Sequence, residues 1–188
     1  MIAFLQGKVA WLEPAEVVIN CQGVGYACRI SLNTYLAIKD QTELLLHTHL
    51  QVKEDAHTLY GFARPDERAL FIQLLGVSGV GGSTALMMLS GMTVAELQAT
   101  IQANDVAGLK KLKGVGEKTA SRIILELQTK LPSLHDGPVP GTSLRQDALQ
   151  ALVSLGFPKQ EMEKRLDRIL KEQAIADAET LIKLALRG

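Results

Sequence analysis

The sequence has few cysteines and no excess charge of either sign. Only two of its 188 residues are cysteines, Cys21 and Cys28, too few for a four-thiolate zinc site or a disulfide framework. We expect both to pack within strands in a reducing compartment. Twenty basic residues balance twenty acidic ones, so the formal net charge is zero. Any anionic partner must therefore be bound by local patches or by backbone dipoles.

The sequence also lacks the signals of export and of membrane insertion. Its first residues contain no basic run followed by an apolar stretch, so we expect a cytoplasmic protein. Residues 69–95 lack charged side chains and would be long enough to span a bilayer. The glycines within residues 76–82 would break a helix there and leave backbone groups unsatisfied in lipid. We therefore expect no membrane span.

Aromatic residues are scarce, at 4% of the chain, and most of them lie in residues 1–63. Apolar runs of strand length separated by turn residues predict an all-β domain over this range. Five such strands are typical of a closed barrel of the OB-fold type. Trp11 and Tyr26 could stack on bases, but the pattern favours core packing or subunit contact. The predicted strands cover residues 2–12, 16–21, 26–30, 43–52 and 57–62.

Helical periodicity replaces the strand pattern after this barrel. Residues 64–131 predict an all-α domain of short helices joined by glycine turns. Half of the six prolines then fall within residues 132–143, which we interpret as a linker. Three amphipathic stripes in residues 144–188 predict a small three-helix bundle.

The most specific signal is an internal repeat within residues 64–131. The pattern h-x-G-V-G-x-x-T-A at residues 77–85 recurs thirty-five residues later at 112–120. An apolar helix, a tight glycine turn and a second helix make each copy a helix-hairpin-helix motif. Glycines allow positive φ and close approach of a phosphate, while the next helix N-terminus presents amides to it. The predicted phosphate-binding residues are Gly79, Val80, Gly81, Gly82, Ser83, Gly114, Val115, Gly116, Lys118, Thr119 and Arg122.

Other interpretations of these glycines fit less well. A Walker A loop needs glycine directly before Lys-Ser/Thr, but Glu117 separates Gly116 from Lys118. A dinucleotide fingerprint needs a third glycine and a preceding strand, which neither copy supplies. We therefore expect no ATP site and no cofactor.

Cations gather around the second copy of the repeat, where they can contact phosphates in a salt-dependent way. The alternative interpretation is a solvated helix face. The cations concerned are Lys110, Lys111, Lys113, Lys118, Arg122 and Lys130.

Catalytic and metal sites are not predicted. His47 and His49 share one face of a strand, but four ligands with suitable spacing are lacking. The sequence contains no convincing set of nucleophile, base and orienting residue. Glu54 and Asp55 are the most conspicuous acidic pair, and we place them at the tip of a hairpin.

These features together resemble the RuvA family, whose members bind Holliday junctions in the RuvA-RuvB branch-migration complex. The resemblance covers essentially the whole chain. It is carried by the turn at residues 23–26, the hairpin at 53–56 before 59–62, both glycine turns, the proline-rich linker and the segment 151–157.

The resemblance implies a non-catalytic subunit of a homotetramer, with an octamer left open. It implies that the tetramer holds an open four-way DNA junction on one of its faces. It implies that the C-terminal module contacts the RuvB hexameric ATPase, and it makes the RuvC resolvase a further candidate partner. The exposed candidates for the RuvB contact are Leu155, Phe157, Leu181 and Leu184, with packing inside the module as the alternative.

The sequence departs from the family pattern at the hairpins. Gly82 and Ser83 stand where members usually have Pro-Lys, and Glu117 stands where lysine is frequent. Phosphate binding should then depend more on backbone amides, Lys118 and Arg122. Glu54 and Asp55 would gather at the junction centre of a tetramer and repel continuous duplex, although acidic residues also favour solvated turns.

Two other function classes stay open at this point. A helix-hairpin-helix DNA repair nuclease or glycosylase would use the same hairpins but needs a catalytic acidic cluster or lysine beside them. A protein-interaction adaptor would show no salt-sensitive DNA binding.

Overall fold

A computed structural model describes residues 1–128, 143–173, 175 and 177–187. Residues 132–142 of the predicted linker, and Lys130, lie outside the described residues. Contacts divide the chain into two units, Met1–Ser133 and Leu134–Gly188.

The first unit begins with a closed five-stranded barrel. Its strand order is β1-β2-β3-β5-β4, with β3 and β5 parallel and the other neighbours antiparallel. Strand alternation places one apolar set inside the barrel, where Ile19 and Leu46 are fully buried. The strands are β1 (Phe4–Glu13), β2 (Glu16–Cys21), β3 (Val24–Ile30), β4 (Glu43–Val52) and β5 (His57–Phe62). The predicted OB-fold is confirmed.

The prediction that residues 1–63 are all β is wrong at one element. Helix α1 (Leu32–Ile38) connects β3 to β4. The hydroxyl of Ser31 caps it by accepting the amide N–H of Thr34 at 3.0 Å. Ile38 anchors the helix in the barrel core at 2% exposure. Burial of this kind stabilises a seven-residue helix whose own sequence favours helix weakly.

Five helices follow the barrel in the same unit. They are α2 (Pro65–Leu75), α3 (Gly82–Gly91), α4 (Val94–Gln102), α5 (Val106–Lys110) and α6 (Glu117–Leu127). Phe71 of α2 packs against Tyr60 and Phe62 of β5, with ring centroids 4.8 and 4.9 Å apart. These β5 rings belong to the core of the helices, so the barrel and the helices share one packed interface.

A buried carboxylate reinforces this interface. Glu67 of α2 is 5% exposed and accepts hydrogen bonds from the hydroxyls of Ser31 and Thr34 at the start of α1. Burial raises the pKa of Glu67 above its usual value, while the two hydroxyls oppose that rise. The carboxylate therefore ties the helical part to the barrel.

The second unit is the predicted three-helix bundle. It contains α7 (Ser143–Ser154), α8 (Lys159–Glu172) and α9 (Ala178–Arg187). Helix α7 is terminated just beyond Ser154 by Gly156, where φ is +94°, and the amide of Phe157 donates to the carbonyl of Leu152 at 3.1 Å. Arg145 of α7 pairs with Asp167 of α8 at 2.6 Å. The module's core contains Ala148, Leu149, Leu152, Met162, Leu166, Leu181 and Ala185.

Candidate nucleic-acid interface

The first hairpin connects α2 to α3 through a tight turn. Gly79 has φ +91°, a conformation that a residue with a Cβ adopts only with strain. The amide of Val80 bonds the carbonyl of Val77 at 3.0 Å, and its side chain is buried at 6% exposure. Gly81, with φ −91° and ψ 170°, is the N-cap of α3.

The second hairpin repeats this geometry between α5 and α6. Gly114 has φ +87°, and the amide of Val115 bonds the carbonyl of Leu112 at 3.1 Å. Gly116 is the N-cap of α6, with φ −84° and ψ 171°. The agreement with the first hairpin confirms the predicted helix-hairpin-helix repeat and the predicted positive φ of its first glycine.

Both helices leave their first amides without a side-chain cap. The earliest intrahelical bonds run from the amide of Ala85 to the carbonyl of Gly81 and from the amide of Ala120 to the carbonyl of Gly116. A Cβ built on Gly81 or Gly116 would meet nothing within 4 Å. Each N-terminus therefore lacks a side-chain cap and has open space beside its N-cap glycine, so its positive dipole end suits an anion.

Several predicted phosphate residues turn out to be packing residues. The side chains of Val80 and Val115 lie in the helical core, so they can meet a phosphate only through their backbone. Gly82 is buried, and the ring and hydroxyl of Tyr60 occupy the place that its Cβ would take. Close contact between α3 and β5 requires glycine there, so Gly82 can meet a phosphate only through its backbone, and that contact stays a prediction. Ser83 is exposed on the next position of α3.

The exposed cations differ in what they contact. Lys118 is exposed near the N-terminus of α6, whereas Lys110 pairs with Glu117 at 3.0 Å. Both partners of that pair are exposed, so it contributes less than about 1 kcal/mol. Glu117 nevertheless places a carboxylate at this helix N-terminus, which opposes binding of an anion.

Arg122 makes a contact with the first hairpin that the sequence did not predict. Its Nη1 group donates to the carbonyl oxygen and to the hydroxyl of Ser78, each at 2.9 Å. Ser78 belongs to the first hairpin and Arg122 to the helix after the second, forty-four residues apart. The 35-residue repeat was the only sequence signal that could have suggested a contact between the two copies.

The predicted acidic tip is an exposed turn between β4 and β5. Glu54 and Asp55 are both exposed there, and the amide of Lys53 bonds the carbonyl of Ala56 at 2.9 Å. Three residues earlier, Oε1 of Gln51 lies 3.2 Å from the place where a Cβ on Gly82 would stand. The strand that leads into the tip therefore passes close to the start of α3.

The apolar residues of the C-terminal module that were predicted to contact RuvB differ in their exposure. Leu155 and Phe157 are 64% and 39% exposed, and Leu184 is half-buried. The prediction of an exposed side chain is wrong for Leu181, which is fully buried in the module's core. Val153 and Leu186 are exposed apolar residues that the sequence analysis missed.

His49 and the two cysteines behave as packing residues. The ring of His49 lies edge-on to Phe71 at 5.8 Å, and burial lowers its pKa. Cys28 is fully buried, which raises the pKa of its thiol to about 12, and the thiol of Cys21 donates to the carbonyl of Gln6 at 3.4 Å. Within the described residues, no group of three potential ligands is placed to hold a metal ion.

Trp11 is 46% exposed, so core packing is wrong for it and subunit contact stays a prediction. Tyr26 packs against the barrel core. Among the described helices, none has the length and apolarity needed to cross a membrane.

An OB-fold barrel followed by tandem helix-hairpin-helix motifs and a separate helical module defines a class of multidomain proteins. The family model described as RuvA N terminal domain matches residues 1–61, and the one described as RuvA, C-terminal domain matches residues 143–188. A model of a SAM-like helix-hairpin-helix tandem matches residues 71–129 between them.

Full-length relatives agree with these matches. Proteins named Holliday junction branch migration complex subunit RuvA from Cytophaga hutchinsonii and Christiangramia forsetii are each 44% identical, and the alignments cover 100% of this chain and 99% of each relative. A relative of the same name from Pseudomonas putida is 40% identical over 100% of this chain and 98% of its own length. The chain belongs to the RuvA family.

Proposed function

We propose that this chain is the non-catalytic DNA-binding subunit of a branch-migration complex and that it binds four-way junctions without reading base sequence. The observation that carries the proposal is the pair of equivalent, uncapped helix N-termini behind Gly81 and Gly116. Amides bind phosphate oxygens, which are identical at every base pair, so such contacts position DNA but do not specify its sequence.

The acidic residues near the hairpins argue against a nuclease or glycosylase. Glu96 forms a capping box with Thr93, Asp105 caps α5 by accepting the amide of Gly108 at 2.8 Å, and Glu117 pairs with Lys110. Each of these three carboxylates is engaged at a separate place, and within the described residues no three potential ligands are grouped to hold a metal ion.

The proposed assembly follows the names of the relatives, which are subunits of a branch migration complex. We propose a cytoplasmic homotetramer, with an octamer as a second possible assembly, that holds the junction on the face carrying the hairpins and the Glu54-Asp55 tips. The proposed DNA-binding region comprises residues 1–63 and 64–131. Residues 132–143 would connect it to a module at 144–188 that engages the RuvB hexameric ATPase.

Leu155, Phe157 and the half-buried Leu184 remain the candidates for the RuvB contact, because they expose apolar surface on the C-terminal module. The RuvC resolvase is a further candidate partner. Its support is the family resemblance alone.

A competition experiment tests the proposed function. Labelled four-way junction is bound to the full-length protein and displaced with unlabelled junction, duplex or single strand of the same sequence. We expect junction to compete best and single strand worst. Equal competition by duplex and junction would contradict junction selectivity, and absence of binding at low salt would contradict DNA binding altogether.

A further inference from the structure

The two hairpins are joined by side chains that cross between them. Arg122 of α6 reaches the first turn, where its Nη1 lies 3.9 Å from the place of a Cβ on Gly79. Met87 of α3 occupies the equivalent position of the repeat and reaches the second turn. Its Cε lies 3.3 Å from the place of a Cβ on Gly114. The helix after each hairpin therefore packs against the positive-φ glycine of the other.

The two crossing contacts are unequal in chemistry. Met87 offers only van der Waals contact, which tolerates sliding of a flexible thioether. Arg122 donates to two acceptors of Ser78, one of them a main-chain carbonyl, from one end of a planar guanidinium. These two hydrogen bonds fix both the orientation of the guanidinium and its distance from Ser78. Arg122 therefore sets the relative position of the two turns more strictly than Met87 does.

Resting on the function proposed above, we propose that Arg122 is a positioning residue that fixes the separation of the two helix N-termini, so that both bind phosphates of one DNA duplex at once. Two linked sites bind more tightly than either alone only when their spacing matches the ligand. Holding the spacing before binding also avoids an ordering cost when DNA arrives. Both Arg122 and Lys118 are exposed. Arg122 differs because it is hydrogen-bonded to Ser78 of the first hairpin, whereas Lys118 is suited to direct phosphate contact.

Charge-preserving and charge-removing variants separate the two roles. Arg122→Lys keeps the positive charge but loses the planar guanidinium that donates to Ser78. We expect about tenfold weaker junction binding, because hydrogen bonds of a charged group are lost. The slope of log affinity against log salt should stay unchanged. Arg122→Met introduces the residue found at the equivalent position of the first copy, Met87, and its side chain cannot donate a hydrogen bond. Lys118→Gln is the matched control on the same helix, and we expect it to reduce the salt slope by about one.

Amide hydrogen exchange of the DNA-free protein gives a second readout. We expect faster exchange in residues 74–81 of Arg122→Lys and Arg122→Met, although the substitution lies in the other motif. Lys118→Gln should exchange like the parent there. Ser78→Ala removes only the hydroxyl acceptor, so its exchange and affinity should lie between those of the parent and Arg122→Met.

The outcomes that would overturn the proposal are distinct from failure of DNA binding. Parent-like exchange in Arg122→Met, together with a salt slope reduced by about one, would make Arg122 a phosphate contact only. Faster exchange with parent-like junction affinity would make the contact purely structural. If the parent itself fails to bind junctions, the proposed function is wrong. The exchange comparison would then still report whether Arg122 holds the first hairpin.

Discussion

The N-cap glycine of the second hairpin offers a substitution that should separate folding from DNA binding. Gly116 has φ −84°, an extended conformation open to any residue, and a Cβ there would meet nothing within 4 Å. Aspartate is a preferred N-cap residue whose carboxylate accepts the amides of the first turn. In Gly116→Asp, the carboxylate would occupy the place that we assign to a DNA phosphate.

The two expected effects have opposite signs. A capping carboxylate at a helix N-terminus stabilises by about 0.3–1 kcal/mol through the helix dipole, so thermal stability should stay equal or rise. DNA binding should lose a charge-assisted hydrogen bond, about 1.5–3 kcal/mol, and gain repulsion of about 1 kcal/mol at 4 Å in water. The sum is about 2.5–4 kcal/mol, or roughly 70- to 900-fold weaker binding.

Thr93→Asp provides the matched control. Thr93 already caps α4, so aspartate there keeps a cap and adds the same charge outside the hairpins. Thermal melts and fluorescence-anisotropy titrations with a labelled four-way junction should be run on both variants and the parent. The reasoning would be refuted if Gly116→Asp, folded and as stable as the parent, bound the junction with parent affinity, or if Thr93→Asp weakened binding as much.

Three further predictions concern other parts of the chain. Glu54→Gln with Asp55→Asn should tighten duplex binding and reduce junction preference, because two exposed charges at the tip are removed; unchanged selectivity across several salt concentrations would leave only a solvated turn. Leu155→Asp with Phe157→Asp should abolish stimulation of the RuvB ATPase while junction affinity stays at the parent value, and full stimulation would place the contact elsewhere. Glu67 has a raised pKa in the folded state, so the native state binds more protons than the unfolded state and stability should fall as pH rises above about 4.5. Urea unfolding at pH 5 and 7.5 should show a smaller decline for Glu67→Gln, and equal declines would contradict this assignment.

The repeat made the hairpins predictable because the constraints there are local. A turn that needs positive φ selects glycine, and Gly79 and Gly114 carry that requirement in the sequence itself. Strands β2, β4 and β5 were likewise predicted with the bounds that the structure gives, since turn residues delimit each apolar run.

Long-range packing was less predictable. Helix α1 depends on burial of Ile38 and on the cap by Ser31, which its weak helix-forming sequence does not reveal. Gly82 was predicted to bind phosphate, whereas the close approach of Tyr60 from the barrel is what requires glycine there. Leu181 was predicted to be exposed but is buried, because an amphipathic stripe does not show which of its apolar residues faces the core.

The central claim is that the hairpins bind phosphates of a four-way junction and not its bases. It is tested most directly by measuring affinity for two junctions with unrelated arm sequences, and for duplex, across a series of salt concentrations. We predict equal affinities for the two junctions, weaker binding to duplex, and a steep linear fall of log K with log salt. Different affinities for the two junctions, or a salt slope near zero, would contradict the account.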